Sequence, residues 1–246
     1  MRDRLRVGVV IPAFDEEGAI GHVLNDLPGW VDAVVVADNA STDDTAVVAR
    51  KAGAIVSNET EPGYGATCLA GLAALPPVDI VVFVDGDYSD FPEDMDQLVD
   101  PIAAGHQDFV LASRAMGRVE VGALTPQQVF GNWLATRLIY LFWGTRFTDL
   151  GPFRAIRKAA LDKLDMCDRT FGWTVEMQIK ALEHDLRCLE VPARYRARIG
   201  HSKISGTLKG TVMAGYKILS IIAIHATRRF RERRNPAVGG IDTPKA

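Results

Sequence analysis

Two carboxylates follow a strongly apolar segment in this sequence. Asp85 and Asp87 stand two positions apart, directly after the Val- and Ile-rich run at residues 78–84. In extended backbone such residues point to the same side, and two close carboxylates repel each other unless a cation lies between them. Oxygen ligands of this kind suit Mg²⁺ or Mn²⁺, which combine a few carboxylates with substrate phosphate oxygens. Aspartates are also common in turns, but their place after a buried strand favours a metal site.

Two earlier apolar runs also end in acidic segments. Residues 12–17 (Pro-Ala-Phe-Asp-Glu-Glu) follow the run at 5–11, and residues 38–43 (Asp-Asn-Ala-Ser-Thr-Asp) follow the run at 33–37. Acidic residues beside Ser and Thr are also typical of helix N-caps and first helical turns. These acids are therefore either ligand-binding groups or helix caps, and the sequence leaves both interpretations open.

The apolar runs alternate with segments of helical spacing through the first half of the chain. The predicted strands are residues 5–11, 33–37, 54–57, 78–84 and 109–112, and the predicted helices are residues 16–27, 42–52, 65–75 and 93–104. Repeated strand–helix units predict an α/β fold with a mostly parallel sheet and helices on both faces. Ligands of such sheets bind beyond the carboxyl ends of the strands, where the three acidic segments stand.

The second half of the chain has a different pattern and a different charge. Its predicted helices are residues 127–143, 159–164, 175–184 and 207–231, and its predicted strands are residues 153–157 and 186–191. Residues 1–100 carry 5 Lys and Arg against 19 Asp and Glu, a net charge of −14, whereas residues 101–246 carry 23 against 12, a net charge of +11. The acidic half suits a metal cation, and the basic half suits phosphates, nucleic acid or an anionic membrane.

Composition excludes several classes of protein. Hydrophobic residues make up 48% of the chain and charged residues 24%, which excludes a fully disordered or fibrous chain. The three cysteines, Cys68, Cys167 and Cys188, form no CxxC pair, which argues against a disulfide framework or a zinc site and fits a reducing cytosol. We find no signal peptide and no apolar stretch of the ~18–20 residues that a bilayer span needs.

Nucleotide-binding glycine motifs are absent from the sequence. The segment Gly63-Tyr64-Gly65 fails the dinucleotide pattern GxGxxG because Cys68 holds the third glycine position, and no GxxxxGK[ST] loop is present. Nicotinamide-dependent hydride transfer is therefore disfavoured, and a P-loop NTPase is excluded. The two glycines either cap a helix or let the backbone approach a nucleotide.

Taken together, the motifs resemble those of family 2 glycosyltransferases with a GT-A fold. The likeness rests on residues 10–17 (Val-Ile-Pro-Ala-Phe-Asp-Glu-Glu), 38–43 and 84–87 (Val-Asp-Gly-Asp) in this order. Within the family it is strongest to the polyprenyl-phosphate sugar transferases, the dolichyl-phosphate mannose or glucose synthase group. It continues through Ser113-Arg114, residues 148–155 (Thr-Asp-Leu-Gly-Pro-Phe-Arg-Ala) and residues 198–203 (Arg-Ile-Gly-His-Ser-Lys), and so spans residues 5–225.

The resemblance implies a set of residues that bind a nucleotide-sugar donor. They are Pro12, Phe14, Glu16, Asp38, Asp85, Gly86, Asp87, Arg114, Arg198 and Lys203. The first three would line the base and ribose, Asp38 would contact the base or ribose, and Asp85 and Asp87 would hold Mg²⁺ or Mn²⁺ with the sugar diphosphate. Arg114 would approach the sugar or phosphates, and Arg198 with residues 201–203 would close over the diphosphate.

Two positions depart from the family pattern. Ser89 stands where these synthases usually carry Gln, which affects a further metal ligand, and Tyr64 stands where Lys is common between the two glycines, which affects a donor contact.

The resemblance also implies an inverting displacement at the anomeric carbon, with a nucleoside diphosphate as the leaving group and Asp87 and Asp149 as catalytic residues. A hydroxyl acceptor needs a general base, whereas a phosphate acceptor is already an anion and mainly needs positioning. Asp149 is the candidate base or acceptor-site residue, and a turn or helix cap is its alternative. Glu176 is a second candidate, for which a structural salt bridge is favoured, and His201 is either a phosphate donor or a solvated loop residue.

Two helices with aromatic and basic residues bear on the acceptor. Residues 127–147 carry Trp133, Tyr140 and Trp143 with Arg137 and Arg146, a combination that favours a membrane interface, although a core helix is the alternative. Residues 207–227 form an amphipathic segment, and the arginine cluster at 228–234 suits anionic headgroups. We expect a GT-A catalytic domain at residues 1–206, an amphipathic basic helix at 207–234 and a disordered tail at 235–246.

The sequence thus predicts a metal-dependent inverting glycosyltransferase. It would move a sugar from a UDP- or GDP-sugar to a polyprenyl phosphate, in the cytoplasm and peripherally at the inner face of the cell membrane. The alternatives are a soluble family 2 enzyme with a glycan or small-molecule hydroxyl acceptor, a nucleotidyltransferase, and a non-catalytic nucleotide-sugar sensor. The nucleotidyltransferase is disfavoured because residues 12–17 are not a glycine- and arginine-rich loop, and a nucleic-acid partner is not expected.

Overall fold

The computed structural model of the protein describes residue 2, residues 4–200 and residues 208–234. Within these residues, seven strands form one sheet, flanked by eight α-helices. The strands are β1 (Val7–Ala13), β2 (Ala33–Asp38), β3 (Ile55–Asn58), β4 (Ile80–Phe83), β5 (Phe109–Val119), β6 (Arg154–Arg157) and β7 (Cys188–Tyr195). The helices are α1 (Ile20–Asn25), α2 (Thr45–Lys51), α3 (Tyr64–Ala74), α4 (Asp96–Ala103), α5 (Pro126–Trp143), α6 (Lys158–Leu164), α7 (Trp173–Glu183) and α8 (Leu208–Arg234).

The sheet is mixed and mostly parallel, with the strand order β3-β2-β1-β4-β6-β5-β7. Strand β6 alone among these runs antiparallel to its neighbours, β4 and β5, and its first residue, Arg154, pairs with Phe83, the last residue of β4, and with Leu111 of β5. The chain that enters β6 therefore lies at the same sheet edge as the carboxyl end of β4. This arrangement confirms the predicted α/β fold and carries residues 148–153 to the edge where ligands are expected.

Alternate residues of the strands pack into two separate cores. Val10 of β1 and Val81 of β4 join the core formed with α3, α5, α6, α7 and α8, whereas Val9 of β1 and Val82 of β4 join the core formed with α1, α2 and α4. Successive side chains of a strand point to opposite faces, so a continuous apolar run buries both faces at once. The helices therefore cover both faces of the sheet, as predicted.

Strand β5 is longer than the sequence pattern predicts. It continues from residue 112 to Val119 because it pairs in parallel with β7, and the register shifts between Ser113 and Arg118. The segment from Ser113 to Val119 lacks the apolar run that marks the other strands, so its extension depends on partners 76–79 residues away in sequence. This extended ribbon carries Arg114 to the edge of the site described below.

Helix α8 packs on the rest of the fold through a few apolar residues. Ile221 and Ile222 are buried in the core on that face of the sheet, and the Lys217 ammonium lies 2.8 Å from Asp168. None of the helices within the described ranges is long and apolar enough to cross a membrane. The predicted disordered tail at 235–246 and residues 201–203, with the predicted donor-binding Lys203, lie outside the described residues.

Candidate active site

The carboxyl ends of β1, β2 and β4 meet at one edge of the sheet. Strand β1 lies between β2 and β4 and is parallel to both, and its last residue, Ala13, pairs with Asp38. Asp85 and Asp87 follow the end of β4. The structure therefore brings the three predicted acidic segments to the same edge, as parallel strands require.

Asp85 and Asp87 form the acidic centre of this edge. The Tyr64 hydroxyl donates to Asp85 Oδ1 at 2.9 Å, and Arg198 Nη2 lies 2.6 Å from Asp87 Oδ2. The backbone N–H and the hydroxyl of Ser89 donate to Asp87 Oδ1 at 2.9 and 2.6 Å. Desolvation by the surrounding protein, with the negative charge of Asp87, raises the pKa of the partly exposed Asp85 to about 6. The centre therefore holds more negative charge than its neighbours balance, which favours a cation.

The donor set fits a divalent cation that is shared with a substrate. Asp85 and Asp87 offer hard oxygen ligands, and no group of three or more His, Cys, Asp or Glu side chains is arranged around one metal position in the described part of the chain. The protein would thus supply two carboxylates, and phosphate oxygens and water would complete the coordination, as Mg²⁺ commonly requires. Ser89 and Tyr64, the two departures from the family pattern, both direct their hydroxyls at these carboxylates.

A third carboxylate of the same loop, Asp90, was not identified from the sequence. Its side chain is 2% exposed, and its Oδ2 has no hydrogen-bond partner among the described residues. Burial, together with the charges of Asp85 and Asp87, raises the pKa of Asp90 well above its ordinary value. The signal in the sequence was a third acid three positions after Asp87. It was easily overlooked because the same loop already contains two other aspartates.

The loop that carries these acids is held by the segment after β7. The Arg196 guanidinium stacks 3.3 Å from the Tyr88 ring centroid and 4.0 Å from that of Phe91. Its Nε and Nη2 donate to the backbone oxygens of Tyr88 and Asp90 at 2.6 and 3.0 Å. Tyr88 has a φ of +63°, a left-handed conformation that a bulky residue keeps only when its surroundings enforce it. The same segment places Arg198 against Asp87.

Arg114 and Asp149 form a second pair at this edge. Asp149 Oδ2 accepts from the backbone N–H and the Nε of Arg114 at 2.7 and 2.8 Å, and Oδ1 accepts from Nη2 at 2.7 Å. The Asp149 side chain is 1% exposed and the Arg114 side chain is 15% exposed. Burial lowers the pKa of Arg114, but the charge and hydrogen bonds of Asp149 outweigh it and hold that pKa above its ordinary value. In this structure both carboxylate oxygens of Asp149 therefore accept hydrogen bonds from a guanidinium that stays charged.

The other predicted donor-binding residues surround the acidic centre. Pro12 and Gly86 are buried, and a Cβ on Gly86 would come within 3.3 Å of the Pro12 carbonyl oxygen, so the two backbones approach closely. Asp38 is buried, and its Oδ1 has no hydrogen-bond partner among the described residues. The Phe14 ring is exposed, and the negative charge of Glu16, after those of Asp87 and Asp85, helps to hold the pKa of Arg198 above its ordinary value against the effect of burial. These groups lie at the same edge of the sheet as Asp85.

Several other acids have a structural role, because they accept hydrogen bonds from backbone N–H groups. Asp15 Oδ1 accepts from the Thr42 backbone N–H at 2.7 Å, and Glu17 accepts from the Asp44 N–H at 2.9 Å. These bonds tie the loop after β1 to the loop after β2, which is why α1 and α2 begin later than predicted. Glu176 accepts from the backbone of residue 168 and lies 2.8 Å from Lys180, as the favoured structural interpretation required.

The glycines at 63 and 65 serve close packing. A Cβ on Gly63 or Gly65 would overlap the backbone oxygens of Arg169 or Asp168. The N–H groups of Gly65 and Ala66, in the first turn of α3, donate to backbone oxygens of residues 170 and 169 at 3.0 and 2.8 Å. This helix start is therefore occupied by the protein itself rather than presented to a nucleotide.

Comparison with known proteins yields one family and several relatives. A family model described as glycosyl transferase family 2 matches residues 8–165. An uncharacterized glycosyltransferase of Mycobacterium tuberculosis is 36% identical over 217 residues, which cover 85% of this chain and 94% of that protein. A dolichyl-phosphate hexose transferase of Haloferax volcanii is 30% identical over 230 residues, which cover 92% of this chain and 96% of that protein.

A solved structure has the same fold. Glucosyl-3-phosphoglycerate synthase from Mycobacterium tuberculosis, in complex with Mn²⁺, UDP-glucose and phosphoglyceric acid, superposes with a TM-score of 0.74 over 91% of this chain and 80% of that chain. The two sequences are 22% identical. The likeness confirms the GT-A architecture that the sequence motifs implied.

Proposed function

Because the chain belongs to glycosyl transferase family 2 and is therefore a glycosyltransferase, we propose that it transfers a sugar, with inversion, from a UDP- or GDP-sugar to a polyprenyl phosphate. The observation that carries this proposal is the Arg114–Asp149 pair. It supplies the acceptor side of the site with a fixed guanidinium and occupies the carboxylate that would otherwise serve as a base. Family membership leaves the nucleotidyltransferase alternative without support.

The donor would bind along the edge formed by β1, β2 and β4. Asp38, whose Oδ1 has no hydrogen-bond partner among the described residues, would accept a hydrogen bond from the ribose or base, and the exposed Phe14 ring would line them. Asp85 and Asp87 would hold Mg²⁺ or Mn²⁺, which when bound supplies positive charge to the departing diphosphate. Arg198, already within 2.6 Å of Asp87, adds a second charge at the same place.

The acceptor would bind at Arg114. Asp149 occupies the Nε and one Nη2 hydrogen of the guanidinium, and a guanidinium has five N–H donors, so those at Nη1 are left for a phosphate oxygen. In the reaction, an acceptor phosphate oxygen forms a bond to the anomeric carbon. The bond from that carbon to the diphosphate oxygen breaks, and the nucleoside diphosphate leaves with the electron pair. No proton has to be removed from a phosphate that is already ionised.

A lipid acceptor also requires contact with a membrane surface. Helix α5 exposes Phe130, 61% accessible, and Trp133, 52% accessible, and Arg146 lies 5.4 Å from the Tyr140 ring centroid. Helix α8 exposes a further group of large apolar side chains, which are Val212, Met213, Tyr216, Leu219, Ile224 and Phe230. Aromatic side chains with Arg at their margins favour the headgroup region. We therefore propose that α5 and the helix at 208–234 contact an anionic membrane peripherally.

A hydroxyl acceptor, on a glycan or a small molecule, is the second candidate. It is favoured by Asp90, whose buried and unpartnered Oδ2 could take the proton of an attacking hydroxyl. Burial, with the charges of Asp85 and Asp87, raises the pKa of Asp90 well above its ordinary value, so this carboxyl holds a proton more readily than a solvent-exposed aspartate does.

One assay separates the two acceptors. Purified protein is incubated with Mn²⁺ or Mg²⁺, labelled UDP- and GDP-sugars and undecaprenyl phosphate, and the lipid is then extracted. Label in the organic phase supports the polyprenyl phosphate, whereas label only in a water-soluble product overturns it in favour of a hydroxyl acceptor. Asp87→Ala is expected to abolish transfer with the fold intact, and full activity of this variant would contradict the metal assignment.

A further inference from the structure

The segment that carries Asp149 is tied to its surroundings by side chains from several elements. Glu190 of β7 accepts from the backbone N–H groups of Thr148 and Asp149 at 2.8 and 3.1 Å. Gln178 of α7 donates to the Asp149 backbone oxygen at 2.9 Å. The conformation of this segment, and with it the direction of the Asp149 carboxylate, is therefore set by residues far away in sequence.

Asn132 supplies a pair of bonds that bracket Asp149. Its Nδ2 donates to the Thr148 backbone oxygen at 3.0 Å, and its Oδ1 accepts from the Leu150 N–H at 2.8 Å. One planar amide thus engages the residues on both sides of Asp149, in the way that a neighbouring strand would. Removal of this amide would leave the Thr148 backbone oxygen without this donor, and the Leu150 N–H would keep only its bond to Asp149 Oδ1, at 2.7 Å.

Asn132 differs from the other tethers in the element that carries it. Gln178 is fully buried and belongs to a helix packed in the core, and Glu190 belongs to a strand of the sheet. Asn132 lies on α5, next to the exposed Trp133 and two residues after the exposed Phe130. It is therefore the tether through which a displacement of α5 reaches Asp149.

We propose that Asn132 is a positioning residue of the transfer reaction, which couples α5 to the Arg114 guanidinium through the backbone at 148–150. The proposal rests on the proposed role of Arg114 in holding the acceptor. Asp149 bonds both the backbone and the guanidinium of Arg114, so a shift of the 148–150 segment moves that guanidinium directly. A misplacement of ~1 Å can lower a rate by ~10²-fold even when the altered residue does not touch the substrate.

A double-mutant cycle tests this coupling. Wild type, Asn132→Ala, Arg114→Lys and the double variant are compared in kcat, in the KM of the nucleotide sugar and in the Kd of the nucleoside diphosphate. Asn132→Ala is expected to lower kcat by ~10–100-fold without changing the Kd of the nucleoside diphosphate. In the Arg114→Lys background the same change is expected to lower kcat by less than about threefold, because residues that act through one another are not additive.

Two further variants control the cycle. Gln127→Ala alters an exposed residue of the first turn of α5 and is expected to leave kcat unchanged. Asn132→Asp keeps an oxygen for the Leu150 N–H but removes the donor to the Thr148 oxygen, and is expected to lie between wild type and Asn132→Ala in kcat. It also stands in for Asn132→Ala if thermal unfolding shows that the alanine variant does not fold.

The possible outcomes separate this inference from the proposed function. If Arg114→Lys retains wild-type kcat, the role of Arg114 fails and both proposals fall. If Arg114→Lys is impaired but Asn132→Ala and Asn132→Asp are not, the inference about Asn132 alone is wrong. Equal fold-losses in both backgrounds, or a matching loss of nucleoside diphosphate affinity, would show that Asn132 acts generally on the structure. The cycle is run with whichever acceptor the wild type glycosylates, so a hydroxyl acceptor overturns the lipid assignment without touching the coupling.

Discussion

Asp149→Asn tests how the buried ion pair serves this site. The substitution keeps the size of the side chain and removes the negative charge that faces Arg114. In the wild type both Asp149 oxygens accept from the Arg114 guanidinium, at 2.8 and 2.7 Å. An Asn offers a single oxygen, and its amide N–H groups would face other N–H donors. A largely buried guanidinium is then left without a counter-charge.

The magnitude follows from burial of the pair. The side chains of Asp149 and Arg114 are 1% and 15% exposed, and removal of one partner from a buried pair costs ~3–5 kcal/mol. In a protein of this size each kcal/mol lowers Tm by ~2–4 °C. The free energy of unfolding is therefore expected to fall by ~3–5 kcal/mol, and Tm by roughly 6–20 °C.

The chain contains a matched control for this substitution. Arg187 and Asp108 form the same bidentate pair, in which Nε donates to Oδ2 at 2.9 Å and Nη2 donates to Oδ1 at 2.8 Å. The Arg187 side chain, however, is 54% exposed. Exposed pairs contribute ~0–1 kcal/mol. Asp108→Asn should therefore change Tm little and leave the transfer rate unaltered, since it lies in neither the donor nor the acceptor site.

Calorimetry and initial transfer rates across pH give the result. If Asp149 positions Arg114, Asp149→Asn loses the same fraction of the rate at every pH. A general base would behave differently, because its replacement would remove the acidic limb of the pH–rate profile. Loss of that limb, or a Tm change no larger than that of Asp108→Asn, would refute the positioning role.

Three further predictions follow from other parts of the structure. Arg154 is fully buried, and it donates to the backbone oxygens of Leu150, Gly151 and Thr174. Arg154→Met is therefore expected to lower the free energy of unfolding by about 3 kcal/mol or more. Urea denaturation measures this change, and an unchanged midpoint would contradict the prediction. Hydrogen bonds from Arg187 lower the pKa of Asp108, so this pair stabilises the fold above the ordinary Asp pKa of ~3.9 and the stabilisation is lost as pH falls towards the lowered pKa. The small Tm difference between wild type and Asp108→Asn should accordingly shrink in acid, and a difference that grows there would reverse the sign. Trp133→Ser removes an exposed indole and is expected to weaken co-sedimentation with anionic vesicles at unchanged Tm, whereas unaltered co-sedimentation would remove Trp133 from the membrane surface.

The sequence was sufficient to predict the central strands of the sheet and the edge at which the acids lie. Strands β1, β2 and β4 are continuous apolar runs, because strands that are covered on both faces have no polar side to show. The carboxyl ends of parallel strands share one edge, so residues that follow separate strands meet there. On this basis Asp38, Asp85 and Asp87 were placed together from the sequence alone, and the register of β1 with β2 and β4 bears out that placement.

Which of these acids have hydrogen-bond partners depends on contacts between distant parts of the chain. Asp15 and Glu17 bond the backbone of the neighbouring loop, whereas Asp38 and Asp90 each keep an unpartnered buried oxygen within the described residues. Nothing in residue type distinguishes these two groups, because a carboxylate is captured or left open by donors that arrive from other parts of the chain. The antiparallel direction of β6 is likewise a matter of pairing, and it carries the segment with Asp149 to this edge of the sheet.

Local patterns of apolar and acidic residues were enough to predict an α/β sheet with carboxylates at its ligand-binding edge, and the family resemblance implied the GT-A form of that sheet. What the folded chain decided is how charge is distributed at that edge. Asp149 and Arg114 are 35 residues apart, and Asn132 lies 16 and 18 residues from the groups it bonds. Such partners are chosen by packing rather than by spacing, so the ion pair of Asp149 with Arg114 could not be predicted from the sequence.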